Sequence, residues 1–115
     1  MLEVEMSQLL QEIEALRQPM KALNDFIFDH PELGNEEFQA HELLTNLLEK
    51  EGFTVDREVS GLKTAFRAVY HVNGGGPKIG LLCEYDALEG LGHACGHNLQ
   101  GPSICTAAIA LKRTL

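Results

Sequence analysis

The chain has 115 residues, with 9 Lys plus Arg against 17 Asp plus Glu, and its net charge of −8 argues against nucleic acid and anionic membrane surfaces as partners. Its apolar runs are too short to cross a bilayer, and Glu3 and Glu5 stand where a secretory leader would be basic. The cysteines, Cys83, Cys95 and Cys105, are odd in number, which favours free or metal-bound thiols in a reducing compartment, so the expected location is cytoplasmic.

Residues 2–28 read as helix. Leu9, Ile13, Leu16, Met20, Leu23 and Ile27 step by fours and threes, which aligns one apolar stripe. Pro19 interrupts it and predicts a kink or two shorter helices. Pro31 pushes His30 out of helical space, so the segment should stop there. Asn35 is a suitable N-cap, with Glu36 and Glu37 in the first turn of the next helix. Phe38, Leu44, Leu47 and Leu48 form its expected buried face, and Gly52 ends it. His30 and Glu32 read as a solvated turn.

Phe53–Val59 alternates apolar and polar residues and reads as a strand, followed by a Ser60-Gly61 turn. Thr64–Val72 reads as a second strand. Asn73 to Pro77 is a short turn, and its glycines precede a strand rather than opening a helix, so they do not form a phosphate cradle. Lys78–Glu84 is apolar on both faces and reads as a third, central strand. Links this short suit antiparallel neighbours. Pro102 suits the first turn of a last helix, with Ile104, Ala107, Ala108 and Leu111 on its face. The fold class is therefore α/β, ordered helix, helix, three-strand meander, helix. One face of such a sheet lacks a covering layer. Self-association through an exposed edge or apolar face is a consequence to expect.

The chemistry concentrates after the third strand, in Glu84-Tyr85-Asp86 and the loop that carries His93, Cys95 and His97. A thiolate and an imidazole at i and i+2 lie on one side of an extended backbone, and both are good ligands for zinc or a similar ion. His93 shares that parity. Glu84 and Asp86 add hard carboxylate oxygens at the strand end. Cys83 and Cys105 read as small buried hydrophobes. A thiol nucleophile at Cys95, served by His93 or His97 as base, is the competing active reading.

Glu84-Tyr85-Asp86-Ala87-Leu88 followed by Gly92-His93-Ala94-Cys95-Gly96-His97-Asn98 resembles the signature of a family of metal-dependent amidohydrolases and peptidases. That family includes aminoacylases, carboxypeptidase-G-type enzymes and hydrolases of aminobenzoyl-glutamate. His30-Pro31-Glu32-Leu33-Gly34-Asn35-Glu36-Glu37 resembles its N-terminal motif. The resemblance implies a mixed-sheet α/β/α zinc-peptidase-like catalytic domain, of which residues 1–115 form the N-terminal part without the inserted lid or dimerisation domain. It implies Cys95 and His97 as metal ligands and Asp86 as the catalytic strand-end aspartate, while Glu84 and His93 stand as further candidate ligands on residue type and position alone. Glu84 stands where relatives have a ligand histidine, Asn98 where some have Asp, and Glu89 where many have Pro. The family's Glu-Glu pair and later histidines are not among these residues. The implied cofactor is a divalent metal, zinc or manganese, with two ions in the full-length protein. The implied substrates are N-acyl amino acids, dipeptides or aminobenzoyl-glutamate-like amides, and this segment is not expected to catalyse alone. The alternative is a non-catalytic binding or assembly module that retains the fold and keeps the loop by ancestry.

Overall fold

The structure is a computed structural model and describes residues 4–115. The described residues form a mixed α/β arrangement: α1 (Met6–Ala15), α2 (Arg17–Asp29), α3 (Phe38–Lys50), β1 (Thr54–Asp56), β2 (Arg67–Val69) and α4 (Gln100–Thr114). Short 3-10 turns lie at Val59–Gly61 and His97–Leu99. No helix among the described residues is long and apolar enough to cross a membrane.

The first predicted helix is two helices, but the break falls at Leu16 rather than at Pro19, and residues 2 and 3 of the predicted range lie outside the described residues. Pro19 occupies the first turn of α2, where a missing N–H removes no helical bond. Leu16, at the junction, is buried together with Met20 and Ile27, and Leu23 packs against them, so the apolar stripe holds along α2, whereas α1 has no buried residue and Ile13 is exposed.

Helix α3 starts later than the sequence suggests. Asn35 adopts a left-handed turn (φ 68°) and caps nothing, so Glu36 and Glu37 fall outside the first turn. Phe38 consequently sits at the helix entrance, 55% exposed, and leaves the core to Ala40, Leu44 and Leu48. The C-terminus follows expectation. Gly52 (φ +95°) donates to the Glu49 carbonyl and Phe53 to that of Leu48, which closes the helix with a Schellman motif.

Helix α4 contacts α1, α2 and α3 and organises the core. Its buried face is Gly101, Pro102, Cys105, Ile109 and Ala110, rotated from the predicted Ile104, Ala107, Ala108 and Leu111, which are half-buried. The small residues explain the rotation. A Cβ at Gly101 would lie 2.8 Å from Cδ1 of the fully buried Leu44, so only glycine lets α3 and α4 approach this closely.

The sheet has two strands, not three. β1 and β2 pair antiparallel, with Val55 opposite Ala68. The predicted third strand, residues 78–84, makes no ladder, and its apolar side chains face outward, Ile79 at 79% and Leu82 at 91% exposure. A run apolar on both faces needs a paired neighbour and a covering layer, and these residues meet neither. The three-strand meander is corrected accordingly.

Cys105 is 2% exposed, and burial pushes its thiol up to about 12. The folded state keeps the thiol neutral while the unfolded chain ionises above about pH 8.5, so stability falls as pH rises between those values, by up to about 1.4 kcal/mol per pH unit. Urea midpoints measured from pH 8 to 10.5 should therefore fall more steeply in the native chain than in Cys105→Ala.

Candidate metal centre

The site begins with one inward-facing ring. Tyr85 is buried, its hydroxyl donates to the Thr64 carbonyl, and its ring stacks on Phe66. Burial, followed by the charge of Glu37, pushes its phenol well above the usual range. In extended chain, neighbours of an inward residue point the other way. Glu84 and Asp86 therefore share the opposite side, and the 3-10 turn that leads into α4 delivers His97 to them. The Glu84 N–H, which a sheet partner would have bound, donates instead to Gln100 Oε1 at 2.9 Å.

Between strand end and helix the chain doubles back. Leu88 and Gly92 exchange backbone hydrogen bonds, which closes a tight turn. Gly96 takes a left-handed conformation (φ 85°), so Cys95-Gly96-His97 is not the extended segment the spacing suggested. The bend still brings both side chains to one point. Cys95 Sγ lies 3.9 Å and His97 Nδ1 3.1 Å from the Asp86 carbonyl oxygen. Asn98 is buried and donates to Asn24 Oδ1 at 2.7 Å, which ties the 3-10 turn to α2.

Glu84, Asp86 and His97 form the close set, each offering a ligand atom within 4.8 Å of the others. His97 Nδ1 faces two acceptors, Asp86 Oδ1 at 2.9 Å and the Asp86 carbonyl, so the proton of a neutral ring belongs on Nδ1. Nε2 then turns a lone pair toward Glu84 Oε2, 3.3 Å away. Two lone pairs at that distance repel unless a second proton or a cation lies between them. Two ligands about 2.1 Å from a tetrahedral zinc are themselves about 3.4 Å apart. The donor set fits a divalent cation held by His97 Nε2 and Glu84, with Asp86 fixing the ring from behind.

The other predicted residues sit around this set. Cys95 is exposed and lies outside the close set, though it faces the same carbonyl. His93 is 5% exposed, and neither ring nitrogen has a hydrogen-bond partner. Burial, with the charge of His97 adding to it, holds its pKa below the ordinary value. Cys83 is partly buried, and burial raises its thiol. Reasoning from the sequence missed Glu32, Thr64, Asn24 and Gln100, which hold the site through contacts 16 to 74 residues apart in sequence or through backbone atoms. Composition places Glu32 in a solvated turn, but its carboxylate caps α3 and its carbonyl accepts from Ala87 N–H.

No protein-family model matches the chain. Individual proteins do. It is 44% identical over 120 residues to one of the subunits of p-aminobenzoyl-glutamate hydrolase from Escherichia coli (strain K12), a match covering 90% of this chain and 24% of that protein. It is 40% identical to Xaa-Arg dipeptidase of Mus musculus and 38% identical to that of Homo sapiens, over 91% and 90% of this chain and 26% of each relative. Over about nine tenths of its length the chain is similar to these hydrolases and peptidases. It spans about a quarter of their length. The family likeness covers both the His30–Glu37 motif and the loop that carries the candidate centre.

Tyr85→Phe removes the hydroxyl from the buried Thr64 carbonyl and should destabilise the chain by about 1–2 kcal/mol, read from denaturant midpoints. An unchanged midpoint would mean that the ring alone anchors the strand end.

Proposed function

We propose that the chain is the N-terminal part of the catalytic domain of a metal-dependent amidohydrolase or peptidase, with a mixed-sheet α/β/α architecture. The observation that carries this reading is the convergence of Glu84, Asp86 and His97 within the region of likeness to amide hydrolases. The substrates proposed for the whole protein are N-acyl amino acids, dipeptides or aminobenzoyl-glutamate-like amides, by analogy with the relatives' names. The free cysteines support a cytoplasmic setting.

His97 Nε2 and Glu84 would hold the cation, with Cys95 the next available donor. Nitrogen and sulfur donors favour zinc, while the carboxylates also accommodate manganese. A divalent cation supplies Lewis acidity, which polarises an amide carbonyl and acidifies water. The residues' own contribution is orientation. Asp86 accepts the Nδ1 proton and so keeps Nε2 available, while Tyr85 fixes the direction of both carboxylates. A general base and further ligands would come from beyond these residues, so this chain is proposed to be inactive alone. The exposed Ile79–Leu82 stretch supports a covering layer in the whole protein. Pairing with a second copy is the competing outcome, and sedimentation at rising concentration distinguishes the two.

Zinc and manganese binding by equilibrium dialysis tests the reading. The chain should retain zinc, and His97→Ala and Cys95→Ala should weaken retention, His97→Ala by at least about tenfold. Equal retention by the native chain and His97→Ala, or none by either, would contradict it. Amide hydrolysis by the chain that resists chelators and is blocked by alkylating Cys95 would favour a thiol enzyme instead.

A further inference from the structure

Glu32 touches none of the groups that would hold a cation, yet it grips both sides of the structure around them. Its carboxylate accepts from the N–H groups of Gln39 (2.9 Å from Oε2, 3.1 Å from Oε1) and Ala40 (2.9 Å from Oε1), the second and third residues of α3. These are the donors that a helix cap satisfies, and the negative charge faces the positive end of the helix dipole. Its backbone carbonyl accepts from Ala87 N–H at 2.7 Å, one residue past Asp86. Next to it, a methyl group built on Gly92 would lie 3.9 Å from Pro31, so the turn closed by Leu88 and Gly92 rests on the same segment.

We propose that Glu32 is a positioning residue for the candidate cation site: its carboxylate locks it to α3, and its carbonyl locks the Asp86–Ala87 peptide, so the Asp86 carboxylate stays aimed at His97 Nδ1. This rests on the reading of Glu84, Asp86 and His97 as a cation site. The bracket has a mechanical logic. Residues 86–99 contain no strand or α-helix, and their orientation is set by what they are pinned to. Ala87 is buried and its N–H has one partner, Glu32. Residue 32 is thus tied to the start of α3 through its carboxylate and to the centre's backbone through its carbonyl. Loss of the side chain removes the Glu32 carboxylate's hold on the start of α3 and lets the Glu32 carbonyl drift. Asp86 would then no longer hold one ring tautomer of His97.

The test compares the native chain with Glu32→Ala, Glu32→Gln and Leu47→Ala. Leu47 packs on the core from α3 without touching the bracket, so its truncation controls for loss of stability alone. Two signals are read: the 15N shifts of the His97 ring nitrogens without metal, and zinc affinity by calorimetry. Glu32→Ala should lose the Nδ1–H signature and about tenfold in zinc affinity. Glu32→Gln keeps one acceptor oxygen and should restore part of both. Leu47→Ala should keep both. If Glu32→Ala leaves the ring signature intact, or if Leu47→Ala abolishes it equally, the proposal is overturned. A native chain that binds no zinc, with the ring signature still lost in Glu32→Ala, would leave the bracket standing and remove the cation reading beneath it.

Discussion

Everything at the candidate centre depends on Tyr85 facing inward. Its hydroxyl is spent on the Thr64 carbonyl and its ring on Phe66, so the residue cannot rotate outward without exposing a large apolar surface and leaving a buried carbonyl unpaired. Backbone alternation then leaves Glu84 and Asp86 on one side, close enough to repel each other. An imidazole lies between them, facing Asp86 through one nitrogen and Glu84 through the other, and a cation held at Nε2 would offset the repulsion. Thr64 passes the constraint on, because its own hydroxyl donates to Glu37 Oε1 at 3.0 Å. The His30–Glu37 segment therefore meets the site by two routes, one through Thr64 and Tyr85 and one through Glu32 and Ala87.

This makes sense of a site built almost wholly from loop. Loops carry chemistry well when a rigid scaffold holds them. Here the scaffold is helical. α3 anchors Glu32, α2 anchors Asn98 through Asn24, and the first residue of α4 caps the Glu84 N–H. The close approach of α3 and α4 at Gly101 sets the distance between two of these anchors.

Local pattern made the helices legible. The Leu16, Met20 and Ile27 stripe, the Gly52 stop and the burial of Cys105 all follow from residue type and spacing. Several features were not legible because distant partners decide them. An apolar run such as 78–83 says that it would be buried in a sheet, but not whether a neighbouring strand is present to pair with it. Asn35 has the chemistry of a cap, but Glu32 takes that role from seven residues away, while Asn35 serves the turn. The Cys95-x-His97 spacing pointed to adjacent side chains by an extended-chain argument, whereas Gly96 bends the backbone and brings them to the Asp86 carbonyl by another route. Residue types identified the participants; their pairing depended on tertiary contacts.

Diffraction from zinc-soaked crystals, with anomalous data collected at the zinc edge, tests the central claim most directly. One strong peak is expected, bonded to His97 Nε2 and a Glu84 oxygen at about 2.0–2.2 Å, with Asp86 still accepting from Nδ1 and Tyr85 still buried. A peak on Nδ1, a peak remote from these residues, or no peak while Glu84 and Asp86 point to opposite sides would contradict it.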